Sequence, residues 1–221
     1  KVTGLLASTV YHFTLIEYNG TDASTNYALS NPLAGSKVTL APEPTLNGGP
    51  IQFTRVTQDS IYVKLAPGNG AGRIVVIRKG SPVNQAPVDP MSYAVTSGDI
   101  TQAQEIAPGT ANYVVFNGTI ESNFTVSKLA NNAQYHFAVY EYNGTNATSY
   151  NYLTSTPVTG KQATLAQAPT RAASSIKFNN ITGSSMTVNW VNGDGANRLL
   201  LARSGGITQG PVDGSEYFAS T

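Results

Sequence analysis

The chain repeats itself with a period of about 124 residues. Tyr11–Thr21 reads YHFTLIEYNGT and returns at Tyr135–Thr145 as YHFAVYEYNGT. Ile51–Gly80, IQFTRVTQDSIYVKLAPGNGAGRIVVIRKG, returns at Ile176–Gly205 as IKFNNITGSSMTVNWVNGDGANRLLLARSG. Self-similarity at a fixed spacing marks a tandem array in which each copy is one structural unit. The copies are out of phase with the chain, which divides into the back of one module (1–46), one whole module (47–169) and the front of a third (170–221). Half a sandwich leaves an apolar face and open strand edges. The two partial modules are therefore expected to be completed, by flanking sequence of a longer chain in preference to a neighbouring molecule.

Within a copy, the apolar pattern has the period of a strand. Tyr135, Phe137 and Val139 fall on one side of a pleat, and His136, Ala138 and Tyr140 on the other. Met186–Trp190 alternates in the same way, and Arg73–Arg78 is a continuous apolar run between two arginines, which suits a central strand. Turn residues are dense, as in Pro67-Gly-Asn-Gly, Asn192-Gly-Asp-Gly, Asn117-Gly and Asn143-Gly. No segment sustains a helical period. The whole module is predicted to hold strands near 51–57, 60–66, 72–78, 92–96, 112–116, 122–128, 134–142 and 159–165, an all-β sandwich. LAPEPT at Leu40–Thr45 and LAQAPTR at Leu165–Arg171 recur as module connectors, stiffened by proline.

Composition narrows the function classes. Net charge is +1, and charged residues make up 11% of the chain, against roughly a quarter in ordinary soluble domains. The basic stripe of a nucleic-acid binder is missing, as is a lysine-rich amphipathic segment for a membrane surface, and the aliphatic runs are too short to span a bilayer. Cysteine is absent, which excludes disulfides and thiolate metal sites. The Thr/Ser/Asn-rich surface with 12 tyrosines reads as extracellular.

These residues resemble the fibronectin type III family. Leu129-Ala-Asn-Asn-Ala-Gln-Tyr135 is similar to that family's tyrosine corner, and Leu5–Tyr11 is its second copy. The resemblance implies that the corner hydroxyl bonds back to the backbone where strand F begins. It also implies that Trp190 is the core tryptophan of strand B, replaced in the whole module by Leu65. The combination of AxxPT, a Gly-rich turn, RIVVIRKG, PVD…Y, YVVFNG and YxFxVYEYNG resembles the variant found in tandem in large surface and secreted proteins of Bacteroidota, many exported by the type IX route. The module is longer than the family's roughly 90–100 residues, with the excess at about 80–111.

That insertion is the candidate recognition surface. Asp89, Tyr93, Asp99 and Glu105 can offer hydroxyl and carboxylate groups to a sugar or a cation. Recurrence of the first pair as Pro211-Val-Asp213 and Tyr217 fits a structural rule of the module equally well. Glu141 shares the parity of Phe137 and Val139, so it points toward the core and needs a partner; Arg73 or Arg78 is expected to supply it, Arg78 in preference. His12 and His136 are the only histidines and lack the neighbours of a metal site. The Gly-rich turns lack the carboxylates of a calcium loop and the Lys-Ser/Thr of a phosphate cradle. Asp59-Ser60-Ile61 is similar to the Bacteroidota O-glycosylation sequon, at Ser60.

The sequence thus predicts a non-enzymatic array with no cofactor and no metal, working as an extracellular spacer or fibre segment of a bacterial surface protein. Its partners are then the neighbouring modules of the same chain. Two other readings are a module binding glycans or surface proteins through 80–111, and an accessory region of a secreted enzyme.

Overall fold

Alternation and frequent turns leave little choice but extended structure, and strands are what form. The computed structural model describes residues 1–95, 97–119 and 123–218. In chain order the strands are β1 (Val10–Leu15), β2 (Tyr18–Asn19), β3 (Asn26–Tyr27), β4 (Leu33–Val38), β5 (Gln52–Val56), β6 (Ile61–Lys64), β7 (Gly72–Lys79) and β8 (Gln104–Glu105). They continue with β9 (Tyr113–Gly118), β10 (Asn123–Val126), β11 (Gln134–Asn143), β12 (Asn151–Tyr152), β13 (Val158–Ala163), β14 (Ser174–Asn179) and β15 (Thr187–Val191). Among the described residues the only helical pieces are 3-10 turns at Asp22–Ser24 and Ile100–Gln102. The chain divides into two compact units, Lys1–Thr164 and Leu165–Thr221.

In the first unit, the whole module is a sandwich. One sheet runs β10-β6-β5 and the other β12-β11-β7-β9-β8, with β13 also on β11. All these pairs are antiparallel. Ile61, Val63 and Leu65 from one sheet meet Val75, Ile77, Tyr135, Phe137 and Val139 from the other. Phe53 and Phe137 pack with ring centroids 5.1 Å apart. Each such side chain contributes about 1.5–3 kcal/mol by leaving water.

The alternate residues of the same strands form a second core. Ile74, Val76, Ala138, Tyr140 and Tyr142 pack with Val114, Tyr152, Tyr93 and Ile106. The last two come from the 80–111 segment, which lies as a cover over the outer face of the larger sheet. That explains why β7 is a continuous apolar run: it is buried on both sides.

The strand expected over 92–96 does not form. Ser92–Val95 is irregular, and Thr96 lies outside the described residues. Pro87 and Pro90 remove two donors before it, and Tyr93 turns inward to fill the second core. Ser122, the expected start of the next strand, also lies outside the described residues. β8 and the β11–β12 hairpin are short pairings that alternation did not indicate.

Among the described residues, the partial modules keep pairs of strands and supply none of the residues of the two cores. In the first unit β1 pairs β4 and β2 pairs β3. In the second unit β14 pairs β15 with a shift in register, and Leu199–Leu201, the copy of central β7, is not in a strand. Trp190, on β15, is 39% exposed and donates to Asn192 Oδ1 at 3.0 Å.

Candidate functional site

The four residues of the insertion singled out as ligand-binding are occupied in holding the insertion itself. Asp89 Oδ1 accepts from Tyr152 N at 2.7 Å, which ties the cover to β12. Tyr93 is 1% exposed; its hydroxyl accepts from Val88 N at 3.0 Å and its carbonyl from Asn117 Nδ2 at 2.8 Å. Asp99 accepts from the amide and hydroxyl of Thr101 at 2.8 and 2.7 Å, bonds that hold its carboxyl below the usual range. Glu105 accepts from Gly109 N and Ala111 N and closes its own loop. Among the described residues no three His, Cys, Asp or Glu gather as metal ligands.

The cover is sealed by a tyrosine–asparagine network. Asn112, fully buried, donates to Asn84 Oδ1 and Thr110 O, both at 2.9 Å. Tyr142 donates to Asn117 Oδ1 and Tyr152 to Met91 O, each at 2.8 Å. Burial, then the neighbouring Tyr142 and Tyr93, pushes the Tyr152 phenol far above its ordinary range, so it stays a neutral donor.

Glu141 pairs with Arg73, not with Arg78. Arg73 Nε lies 3.2 Å from Glu141 Oε1, and both side chains are buried. Register decides the partner: β11 runs antiparallel to β7, which sets Glu141 opposite Arg73 and His136 opposite Arg78. Arg78 donates instead to Pro82 O at 3.2 Å. Gly68 N donates to the same Glu141 oxygen at 3.0 Å, so the ion pair also fastens the Gly-rich turn. The contacts tie β11 to β7 and to the Gly-rich turn.

At the tyrosine corners, Tyr135 Oη accepts from Ala130 N at 2.9 Å and Tyr11 Oη from Leu6 N at 2.7 Å. The PVD motifs form a second corner of the same span: Val88 N to Tyr93, and Val212 N to Tyr217 at 3.1 Å. His136 is half-buried and His12 exposed. Ser60 sits half-buried in the β5–β6 turn, its hydroxyl donating to Asp59 Oδ1 at 3.0 Å.

The connector entering the whole module is held by a series of polar contacts, made by residues that the sequence marked only as turn formers or not at all. Ala41 N donates to Ser149 O at 2.9 Å. Asn151 Nδ2 donates to Ala41 O at 2.7 Å, and Asn143 Nδ2 to Pro42 O at 2.8 Å. Farther along, Asn69 Oδ1 accepts from Thr45 N and Leu46 N at 3.1 and 2.9 Å, and Asn47 Nδ2 donates to Thr156 Oγ1 at 2.9 Å. Ala41 and Pro44 are buried. The turn comes so close that a Cβ at Gly68 would sit 2.3 Å from Leu46 O, so only glycine fits there. In the second unit the same half-grip recurs: Asp194 accepts from Thr170 N and Arg171 N at 3.3 and 3.0 Å, and a Cβ at Gly193 would meet Arg171 O at 2.1 Å. The available signal was the recurrence of Asn19 as Asn143 and of Asn26 as Asn151.

No protein-family model and no curated protein matches the chain. Solved structures that align with it include a chain from the computer-based redesign of a β-sandwich protein. That chain is 16% identical, with 56% of this chain and 93% of that one covered at a TM-score of 0.34. Another is a two-domain fibronectin type III segment from chicken tenascin, 17% identical over 73% of this chain and 68% of that one, at a TM-score of 0.33. The sandwich assignment stands on the strand order and the two cores described above. Among the described residues no helix is long and apolar enough to cross a membrane.

Proposed function

We propose that the chain is a non-catalytic spacer: a run of fibronectin type III-like sandwiches in a long bacterial surface or secreted protein of the Bacteroidota kind, holding a distal adhesin or enzyme at a distance. The observation that carries this reading is where the polar groups are used. Asp89, Tyr93, Asp99 and Glu105 fasten the cover, and Asn143, Asn151 and Asn69 fasten the connector. Side chains with chemistry to offer are engaged in keeping one module shaped and joined to its neighbour.

A binding role keeps one observation in its favour. A groove of about 330 Å³ lies beside the start of the cover, lined by Pro82, Val83, His136, Thr159 and Lys161 among others. Glycan arrays and pull-downs with the full chain discriminate the two. The spacer reading expects no saturable capture. Micromolar binding of one glycan or protein, lost on Lys161→Glu, would establish the binding role instead.

A further inference from the structure

We propose that the β11–β12 hairpin is a docking site for the connector entering its own module, and that this contact fixes the angle between successive modules. Asn143 and Asn151 face each other across the hairpin in register. Their amides take the carbonyls of Pro42 and Ala41, two consecutive residues, while the Ser149 carbonyl takes the Ala41 amide. All three bonds read backbone, so the site accepts an extended peptide with little regard for side chains. The one demand is a small residue at position 41, which is buried.

Asn143 works in two directions. Its Oδ1 accepts from Ala71 N at 2.9 Å in the Gly-rich turn, so the asparagine bridges the incoming connector and the module's own frame. The turn then grips the connector again four residues on, through Asn69. A peptide held at 41–42 and at 45–46, with the buried Pro44 between, has no free hinge.

The device belongs to the repeat. Asn19 and Asn26 stand in register on β2 and β3 as Asn143 and Asn151 do on β11 and β12, and the turn-side grip returns at Asp194. Without such a clasp, connectors of this length are semi-flexible and adjoining modules reorient independently. The proposal deepens the spacer reading and rests on it for its purpose, since a spacer holds distance only when its junctions do not fold back.

The chain has no cysteine, so a single spin-label pair can be placed at Ser36→Cys and Lys64→Cys on either side of the junction. Asn143→Asp with Asn151→Asp removes both donors and keeps the acceptor for Ala71 N. The dipolar distance distribution between the labels is expected to at least double in width, with the Ala41 amide losing about tenfold or more of its exchange protection. An unchanged width in a variant whose β7 and β11 amides keep their protection overturns the proposal. Should that pair unsettle the module, Ala41→Pro removes the connector's donor to Ser149 without touching the hairpin and must also broaden the distribution. Capture of a partner by the unaltered chain would sink the spacer reading and leave the clasp standing; narrow distributions in both variants would do the reverse.

Discussion

Phe13 and Phe137 occupy equivalent places in nearly identical sequences, yet Phe13 is 43% exposed and Phe137 only 1%. Tyr27 and Tyr152 differ in the same way, 55% against 1%. Around β11, strands β7, β13 and β12 are all paired; β1 has β4 alone among the described residues. Several side-chain bonds nonetheless recur in both copies. The corner hydroxyls, the Thr39 and Thr164 hydroxyls donating to Leu6 O and Ala130 O at 2.6 and 2.7 Å, and the asparagine register all recur. Turns and corners are therefore properties of a short stretch, whereas burial is a property of the partner strands. The repeat encodes both, but only the second supplies most of the stability.

The sharpest way to break that contrast is to empty both equivalent sites. Phe137→Ala is expected to cost about 4 kcal/mol, read from exchange of the β7 and β11 amides, while Phe13→Ala stays within about 0.5 kcal/mol. Equal losses would mean that the first copy owns a core too. Next comes the ion pair. Arg73→Met strands a buried Glu141 and is expected to cost about 3 kcal/mol. Its copy Arg198, exposed and bonded only to Ala196 and Gly193 carbonyls among the contacts described, should tolerate the same change in urea unfolding. A smaller step tests the corners: Tyr135→Phe is expected to cost about 1–2 kcal/mol by orphaning the Ala130 amide, and Tyr11→Phe less, because its amide partner is in water.

The smallest effect sharpens the second half of the connector grip, where Asn69 and Asp194 are equivalent. Hydrogen bonds from the Thr170 side chain, then the Arg171 amide, hold the Asp194 carboxyl below its ordinary 3.8. A depressed carboxylate favours the folded contact above that ordinary value and loses this contribution as pH falls through the lowered one. The Thr170 and Arg171 amide resonances should shift as pH drops below about 4, while those of Thr45 and Leu46, held by a neutral amide, stay flat. Asp194→Asn should abolish the shift; persistence of the shift would assign it to another group.

Much of this architecture is legible in the residues. Period-two alternation gives the sandwich strands, and parity along β11 is enough to place Glu141 with Phe137 and Val139. Parity does not carry register. The choice of Arg73 over Arg78 follows from the direction of β11: in an antiparallel pair the end of one strand meets the start of the other. The cover segment was opaque for a different reason. Tyr93 and Ile106 are buried by tertiary packing of irregular backbone, which has no period to detect, and polar residues such as Asp89 look alike whether they bind a ligand or a neighbouring amide. Ser92–Val95 has the composition of a strand but is bent inward by the core it fills.

Repeating chains run a hazard while they are being made, because a strand of one copy can insert into the sheet of the next. The two-sided burial of β7 and β11 bears on that hazard. To replace either strand, an intruder must match the inter-sheet core on one face and, on the other, a tyrosine-lined seam that closes only when its own cover segment lies down. Two successive copies alike in their inward residues but different in their covers would exchange strands less readily than a bare sandwich. The third layer thus gives β7 and β11 a second packed face, which any replacing strand would also have to match.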